Sequence, residues 1–184
     1  MKKIAVLFSG KGSNFASIVE HLHRRDVEVV VALTNNPHAE GIAIAEKAEI
    51  PCEIIHPKEY ASREAFDAEV VHVLQGYDPE LAVLAGFMRI LTPVFIAQIR
   101  AINLHPSLLP RHKGLHAIEK SYADSSLTGG VTVHWVSSEL DGGEIILQNE
   151  IAKEGLDFES YHQIIRKIEK DTLLQAIKIA LSLT

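Results

Sequence analysis

The chain has 184 residues, of which 47% are hydrophobic and 23% charged, and a formal net charge of −6 at pH 7. This composition predicts one globular domain over residues 1–184 and argues against binding nucleic acid through its phosphate backbone. No apolar run reaches about 18 residues, so no membrane span is expected. The one cysteine, Cys52, excludes an internal disulfide and a multi-cysteine zinc site, which fits a reducing cytoplasm.

Apolar, β-branched runs alternate with segments of helical periodicity through the first hundred residues. The runs predict strands that begin at Ile4, Val27, Cys52, Leu81 and Ala101. The segments between them predict helices over Ser13–Arg25, Ala39–Glu49, Ser62–Gln75 and Pro93–Ile99. Such alternation predicts an α/β fold, in which a mostly parallel sheet is covered by helices on both faces.

The pattern changes after Gly129, where Val131, Val133 and Trp135 occupy alternate positions and EIILQ follows shortly afterwards. This alternation predicts an antiparallel C-terminal edge to the sheet. The last segment, Asp157–Leu183, predicts an amphipathic helix. Its core face is expected to carry Ile164, Ile168, Leu174, Ile177 and Leu181.

The first predicted strand leads into a glycine-rich turn, SGKGSN (residues 9–14), in front of a helix. Glycines allow the backbone to approach a ligand closely, and the N–H groups that begin a helix attract an anion. The order of a P-loop is absent, and Phe15 stands where the dinucleotide fingerprint has its third glycine. Two interpretations stay open: a site for one phosphate monoester, or a turn with Ser13 as helix N-cap and no ligand.

Asn103 and His105 stand just before Pro106 in AINLHPSLLP. Proline disfavours helical backbone at the residue before it, and side chains two apart in extended backbone share a side. Both side chains should therefore project at the carboxyl end of a strand, where ligands bind in open α/β sheets. An amide and an imidazole there could polarise a carbonyl and move a proton. The alternative is a structural role for both.

Asp141 precedes two glycines in SSELDGGEI, a pattern common in Asx turns. The other interpretation is a loop that brings the carboxylate to His105 and favours its charged imidazolium. A metal site at His105, His112 and His116 is less favoured, because no carboxylate or cysteine has helical ligand spacing with them.

Five segments, in this order over nearly the whole chain, resemble the phosphoribosylglycinamide formyltransferases, folate-dependent enzymes of purine synthesis. They are SGKGSN (9–14), SREAFD (62–67), LAGFMRIL (84–91), NLHPSLLP (103–110) and LDGG (140–143). NxHPSLLP is shared with other folate formyltransferases, whereas its combination with GSN and GFMRIL is more specific. One departure is Lys113, where such relatives usually carry proline, and it is expected to alter the loop locally.

The resemblance implies a Rossmann-like sheet that binds glycinamide ribonucleotide and 10-formyltetrahydrofolate. It implies that Gly12, Ser13 and Asn14 hold the ribose phosphate and that Glu169 contacts the same substrate. The implied catalytic residues are Asn103, His105 and Asp141. The implied folate-binding residues are Arg63, Met88, Arg89, Ile90, Leu91, Asn103, Leu140, Asp141 and Gly142.

On this basis the ribonucleotide amine attacks the formyl carbon, and Asn103 and protonated His105 donate to the oxyanion of a tetrahedral intermediate. Asp141 keeps His105 charged and assists proton transfer. Neither a metal nor a covalent enzyme intermediate is expected, and the expected partners are the two small molecules, with no nucleic acid or membrane, in a monomer or weak homodimer. The rival functions are a formyltetrahydrofolate deformylase, a non-catalytic sugar-phosphate sensor and a metal hydrolase.

Overall fold

The computed structural model describes residues 1–183. Its strands are β1 (Lys2–Phe8), β2 (Val27–Thr34), β3 (Cys52–Ile54), β4 (Leu81–Leu84), β5 (Ala101–His105), β6 (Thr128–Trp135) and β7 (Ile145–Ala152). Its α-helices are α1 (Ser13–His21), α2 (Gly41–Lys47), α3 (Arg63–Tyr77), α4 (Pro93–Ile96), α5 (Ala117–Ala123) and α6 (Phe158–Ala180), and Pro57–Glu59 forms a 3₁₀ turn. The chain divides into two compact units, Met1–Ile102 and Asn103–Thr184, and β5 contributes residues to both.

The first unit is built around a parallel sheet with β1 at its centre. β1 pairs with β2 on one side and with β4 on the other, both in parallel, and β3 pairs with the far edge of β2. Ile4, Ala5, Val6, Leu7 and Phe8 are all fully buried. A continuous buried run of this kind is the sequence signature of a parallel strand that is covered on both faces.

The second unit contains an antiparallel pair and the long C-terminal helix. β6 and β7 are antiparallel, with Thr128 opposite Ala152. α6 packs against both strands. The core of this unit is a cluster of buried residues, Ile118, Val131, Tyr161 and Ile165.

The predicted fold class is confirmed: the fold is α/β and Rossmann-like, with a mostly parallel sheet and an antiparallel C-terminal edge. The single domain over residues 1–184 stays a prediction. Within residues 1–183, no helix combines the length and the apolar character that crossing a membrane requires.

Several predicted boundaries and one helix face differ from the structure. α1 ends at His21 rather than Arg25, since Arg24 adopts a left-handed conformation (φ 59°) and its amide bonds to Val27 in the turn towards β2. Helix α5 was not predicted, because seven residues carry too little periodicity to identify a helix. On the last helix Ile177 and Leu181 are buried as expected, whereas Ile164, Ile168 and Leu174 are only half-buried. The other buried apolar residues of α6 are Tyr161, Ile165, Leu173, Ala176 and Ala180, so the core face is only partly the expected one.

Candidate active site

The end of β5 brings His105 to the carboxylate of Asp141 in the second unit. Nδ1 of His105 lies 3.6 Å from Oδ2 of Asp141. His105 and Asp141 are 6% and 8% exposed, respectively, so their contact is shielded from bulk water. Shielding strengthens the electrostatic coupling between a carboxylate and an imidazole. Of the two interpretations of Asp141, the geometry favours the one that places its carboxylate beside His105.

His134, on β6, is a buried neighbour of Asn103 and Asp141 that the sequence did not identify. Its Nε2 lies 3.3 Å from Nδ2 of Asn103 and 3.7 Å from Oδ1 of Asp141. Its Nδ1 lies 2.9 Å from the carbonyl oxygen of Trp135, and because a carbonyl only accepts, Nδ1 carries a proton. In the neutral ring Nε2 then accepts from the Asn103 amide and orients it. The sequence signal that could have identified His134 is a polar residue at an alternate position of a strand that is otherwise apolar.

The tautomer of His105 is fixed in the same way. Its Nε2 lies 2.8 Å from the carbonyl oxygen of His112, so Nε2–H is the donor. In the neutral ring Nδ1 is therefore the unprotonated nitrogen, and it faces Asp141. A second proton taken up at Nδ1 produces an imidazolium directly beside a carboxylate. The ring is thus arranged to be neutral or charged without rotating.

Asp141 occupies a turn of unusual backbone geometry. Its φ is 51°, in the left-handed region, and its Oδ2 accepts a 2.8 Å hydrogen bond from the Gly114 amide. Burial alone raises the pKa of the Asp141 carboxyl. The proximity of His134, the hydrogen bond from the Gly114 amide and the charge of His105 outweigh burial, so the pKa lies below its ordinary value. The carboxylate is therefore ionised at neutral pH.

The glycine-rich turn of the first unit is shaped by Gly12. Gly12, not Ser13, is the N-cap of α1, and no side chain caps the helix. Gly12 has φ 75°, and a Cβ there would lie 2.9 Å from the Gly41 Cα, so only glycine fits without strain. Ser13 is exposed, and the buried Oδ1 of Asn14 has no hydrogen-bond partner among residues 1–183. The interpretation of Ser13 as N-cap was wrong, and the unsatisfied amide oxygen of Asn14 favours a ligand that can donate a hydrogen bond here, such as one with hydroxyl groups.

The loop after β4 lies beside this turn within the first unit. The Ser9 amide bonds to the Gly86 carbonyl (3.0 Å), and the Ser9 hydroxyl accepts from the Met88 amide (2.7 Å). Met88 and Ile90 are 71% and 57% exposed. The Arg89 guanidinium lies 4.4 Å above the ring of Phe66. The adjacent ends of parallel strands therefore place GFMRIL next to SGKGSN, as expected at this edge of a sheet.

The remaining predicted residues are spread over other elements. Arg63 is exposed and is the first residue of α3, whose N-cap, Ser62, accepts from the Ala65 amide. In the second unit Leu140 and Gly142 are exposed next to Asp141. Glu169 is 3% exposed on the buried side of α6, where Arg166 pairs with it at 3.2 Å.

The three histidines of the rival metal site are not grouped around one point in residues 1–183. The ring of His112 is paired with Asp124 at 2.6 Å, and His105 bonds to the backbone oxygen of His112 rather than to its ring. In the part of the chain that the structure describes, no group of three or more His, Cys, Asp or Glu residues is arranged to hold a metal ion.

Comparisons with known proteins agree on one family. A family model described as formyl transferase matches residues 2–177. The phosphoribosylglycinamide formyltransferase of Escherichia coli is 39% identical over 152 residues, which cover 80% of this chain and 72% of that protein. The trifunctional purine biosynthetic protein adenosine-3 of Gallus gallus is 36% identical over 185 residues, which cover 98% of this chain and 18% of that protein.

A solved structure agrees in fold as well as in sequence. The crystal structure of phosphoribosylglycinamide formyltransferase from Campylobacter jejuni superposes with a TM-score of 0.94 at 47% identity. The superposition covers 96% of this chain and 95% of that one. The chain therefore belongs to the formyl transferase family, among its phosphoribosylglycinamide formyltransferases.

Proposed function

We propose that this enzyme transfers the formyl group of 10-formyltetrahydrofolate to the amine of glycinamide ribonucleotide, with Asn103, His105 and Asp141 as its catalytic residues. Membership of the family supports formyl transfer in purine biosynthesis. The observation that carries the residue assignment is the buried pairing of His105 with Asp141, at 3.6 Å, at the end of the strand that also carries Asn103.

The reaction requires that an oxyanion is stabilised and that protons are transferred. The ribonucleotide amine attacks the formyl carbon, and the formyl oxygen takes the negative charge of a tetrahedral intermediate. The Asn103 amide has two N–H groups, and the one not directed at His134 donates to that oxygen. The C–N bond to the folate then breaks, N10 of the folate takes up a proton and the amine loses one.

His105 acts from its Nδ1 edge. At 3.6 Å the contact with Asp141 is longer than a hydrogen bond, so a protonated Nδ1 can donate to a substrate oxygen while the carboxylate stabilises the charged ring. The opposite edge stays bound to the His112 carbonyl. Asp141 thereby assists proton transfer between the amine and the leaving nitrogen. No covalent bond forms between enzyme and substrate.

We assign the ribonucleotide-binding residues from the chemistry of their polar groups, in each unit separately. In the first unit, the α1 amides with Gly12, Ser13 and Asn14 suit a phosphate and its ribose. In the second unit, the Glu169 carboxylate can accept from ribose hydroxyls.

The folate-binding residues are also assigned from the chemistry of their side chains. In the first unit the exposed apolar side chains of Met88 and Ile90 suit the flat pterin ring, and the Arg63 guanidinium suits a carboxylate of the folate. In the second unit the exposed side chain of Leu140 is an apolar surface of the same kind. The other proposed folate-binding residues are Arg89, Leu91, Asn103, Asp141 and Gly142.

The function is tested by mixing the protein with 10-formyltetrahydrofolate, with and without glycinamide ribonucleotide, and following tetrahydrofolate release. Release that depends on the ribonucleotide supports the proposal. Release without it identifies a deformylase, and ribonucleotide binding without any release identifies a sensor. A parallel series with chelator tests for metal-dependent chemistry, and the proposal expects the same rate in both series.

The phosphate assignment predicts a selective effect of Asn14→Ala. Losing one hydrogen bond to a charged ligand costs about 1.5–3 kcal/mol, so the KM for the ribonucleotide should rise about tenfold or more. The KM for the folate should change little, and steady-state kinetics with each substrate varied in turn measures both. Gln98→Ala, which removes an exposed amide bonded to the Val94 carbonyl, is the control. Equal changes in both KM values would contradict the assignment.

A further inference from the structure

Asp124, which follows α5, is the centre of a cluster of charged groups that the proposed reaction does not use. Its Oδ1 lies 2.8 Å from Nζ of Lys153 and accepts from the Ser126 amide at 2.9 Å. Its Oδ2 lies 2.6 Å from Nε2 of His112 and 3.6 Å from the Arg111 guanidinium. Lys153 also donates to carbonyl oxygens at the end of α5, at 2.8 Å from Ser121 and 3.0 Å from Asp124 itself.

His112 connects this cluster to the candidate active site. Its ring is tied to Asp124, while its carbonyl oxygen accepts the Nε2–H of His105 at 2.8 Å. Its φ of 55° lies in the left-handed region, which residues other than glycine seldom adopt. Such a conformation persists only where its surroundings hold it. The bond to Asp124 holds the ring and therefore the direction of the carbonyl.

The same short segment also holds Asp141. Gly114, two residues after His112, has φ 81° and donates its amide to Oδ2 of Asp141 at 2.8 Å. Residues 112–114 thus supply one hydrogen bond to each member of the His105–Asp141 pair. A shift of this segment would move both partners, and small displacements of catalytic groups are costly.

We propose that His112 and Asp124 are positioning residues, whose side-chain bond fixes the carbonyl that selects the Nε2–H tautomer of His105. The proposal rests on the catalytic role of His105 given above. It gives a role to a half-buried ion cluster whose members are not among the proposed substrate-binding residues.

The Asp124 carboxylate at the centre of the cluster stays ionised. Burial alone raises the pKa of the Asp124 carboxyl, but hydrogen bonds from Lys153, His112 and Ser126 and the charge of Lys153 outweigh it and hold the pKa far below its ordinary value. Asp124 is therefore an anion throughout the range in which the enzyme can be assayed. The bond to His112 is consequently available in every assay.

Two variants of nearly equal shape separate the bond from the bulk of the side chain. His112→Gln keeps an N–H that can reach Asp124, whereas His112→Met has the same length and no donor. We expect His112→Met to lower kcat about 10- to 100-fold with little change in either KM, and His112→Gln to retain most of the activity. The double variant His112→Met, Asp124→Asn should lower kcat no more than the more damaging single change, because both changes remove the same His112–Asp124 interaction.

A second measurement reports the tautomer without relying on activity. Long-range ¹H–¹⁵N NMR of the ring nitrogens should show neutral His105 protonated at Nε2 in the unaltered protein and in His112→Gln. In His112→Met a population protonated at Nδ1 should appear. Asp157→Asn, which alters the carboxylate that caps α6, is the control for general loss of a structural carboxylate and should leave kcat and tautomer unchanged.

The outcomes are distinct. Equal kcat in the Met and Gln variants, or an unchanged His105 tautomer in His112→Met, would overturn the positioning role. If the unaltered protein transfers no formyl group, the proposed function fails, and the NMR comparison still decides whether His112 sets the tautomer.

Discussion

Replacing Asn103 or His105 by alanine is expected to lower kcat by about 10²–10³ while the fold is retained. Each side chain supplies an N–H to the oxyanion in the proposed reaction, and losing one donor to a developing charge removes stabilisation that exists only in the transition state. The loss should therefore appear in kcat more than in either KM. Steady-state kinetics on the purified variants, with circular dichroism to verify folding, measures it.

Residues of the same type elsewhere in the second unit provide matched controls. Asn149 is a half-buried amide that donates to Thr172 at 2.7 Å, and His162 is a half-buried imidazole beside the ring of Phe158. Asn149→Ala and His162→Ala should reduce stability with little effect on kcat. Near-normal turnover in both Asn103→Ala and His105→Ala would remove the catalytic assignment.

The sequence identified the parts of the site that depend on strand geometry. AINLHPSLLP placed Asn103 and His105 correctly at the end of β5, because alternation and the restriction before proline are local effects. The fold class followed from the alternation of strands and helices for the same reason. The resemblance to a family added the substrates, which strand geometry alone does not specify.

The sequence did not identify the groups that act through tertiary contacts. His134 reaches Asn103 across 31 positions of sequence, and nothing in the local pattern of β6 says which partner it meets. His112 and His116 adopt left-handed conformations that glycine usually occupies, so their residue type does not predict them. Helix α5, which precedes Asp124, is too short to detect from its periodicity. The core face of α6 was predicted only in part, because its apolar residues permit more than one stripe: Ile177 and Leu181 are buried, and Ile164 and Leu174 are not.

Asp141→Asn is expected to lower kcat by roughly 10² or more and to change the pH dependence of the rate. The substitution is conservative for the backbone, because asparagine tolerates the left-handed conformation of this residue and its side-chain oxygen can still accept from Gly114. What is lost is the negative charge 3.6 Å from His105. Without that charge His105 loses its anionic neighbour, so the dependence of kcat on pH should differ from that of the unaltered protein.

The same change has a predicted signature in stability. The pKa of Asp141 is lower in the folded protein than in the unfolded chain, so its carboxylate stabilises the fold above about pH 4, and this contribution is lost as pH falls further. Urea unfolding should therefore show the variant less stable at neutral pH, with the difference shrinking in acid. A stability difference that grows in acid would contradict this. A pH–rate curve that is lower but unshifted would show that the Asp141 charge does not act through His105.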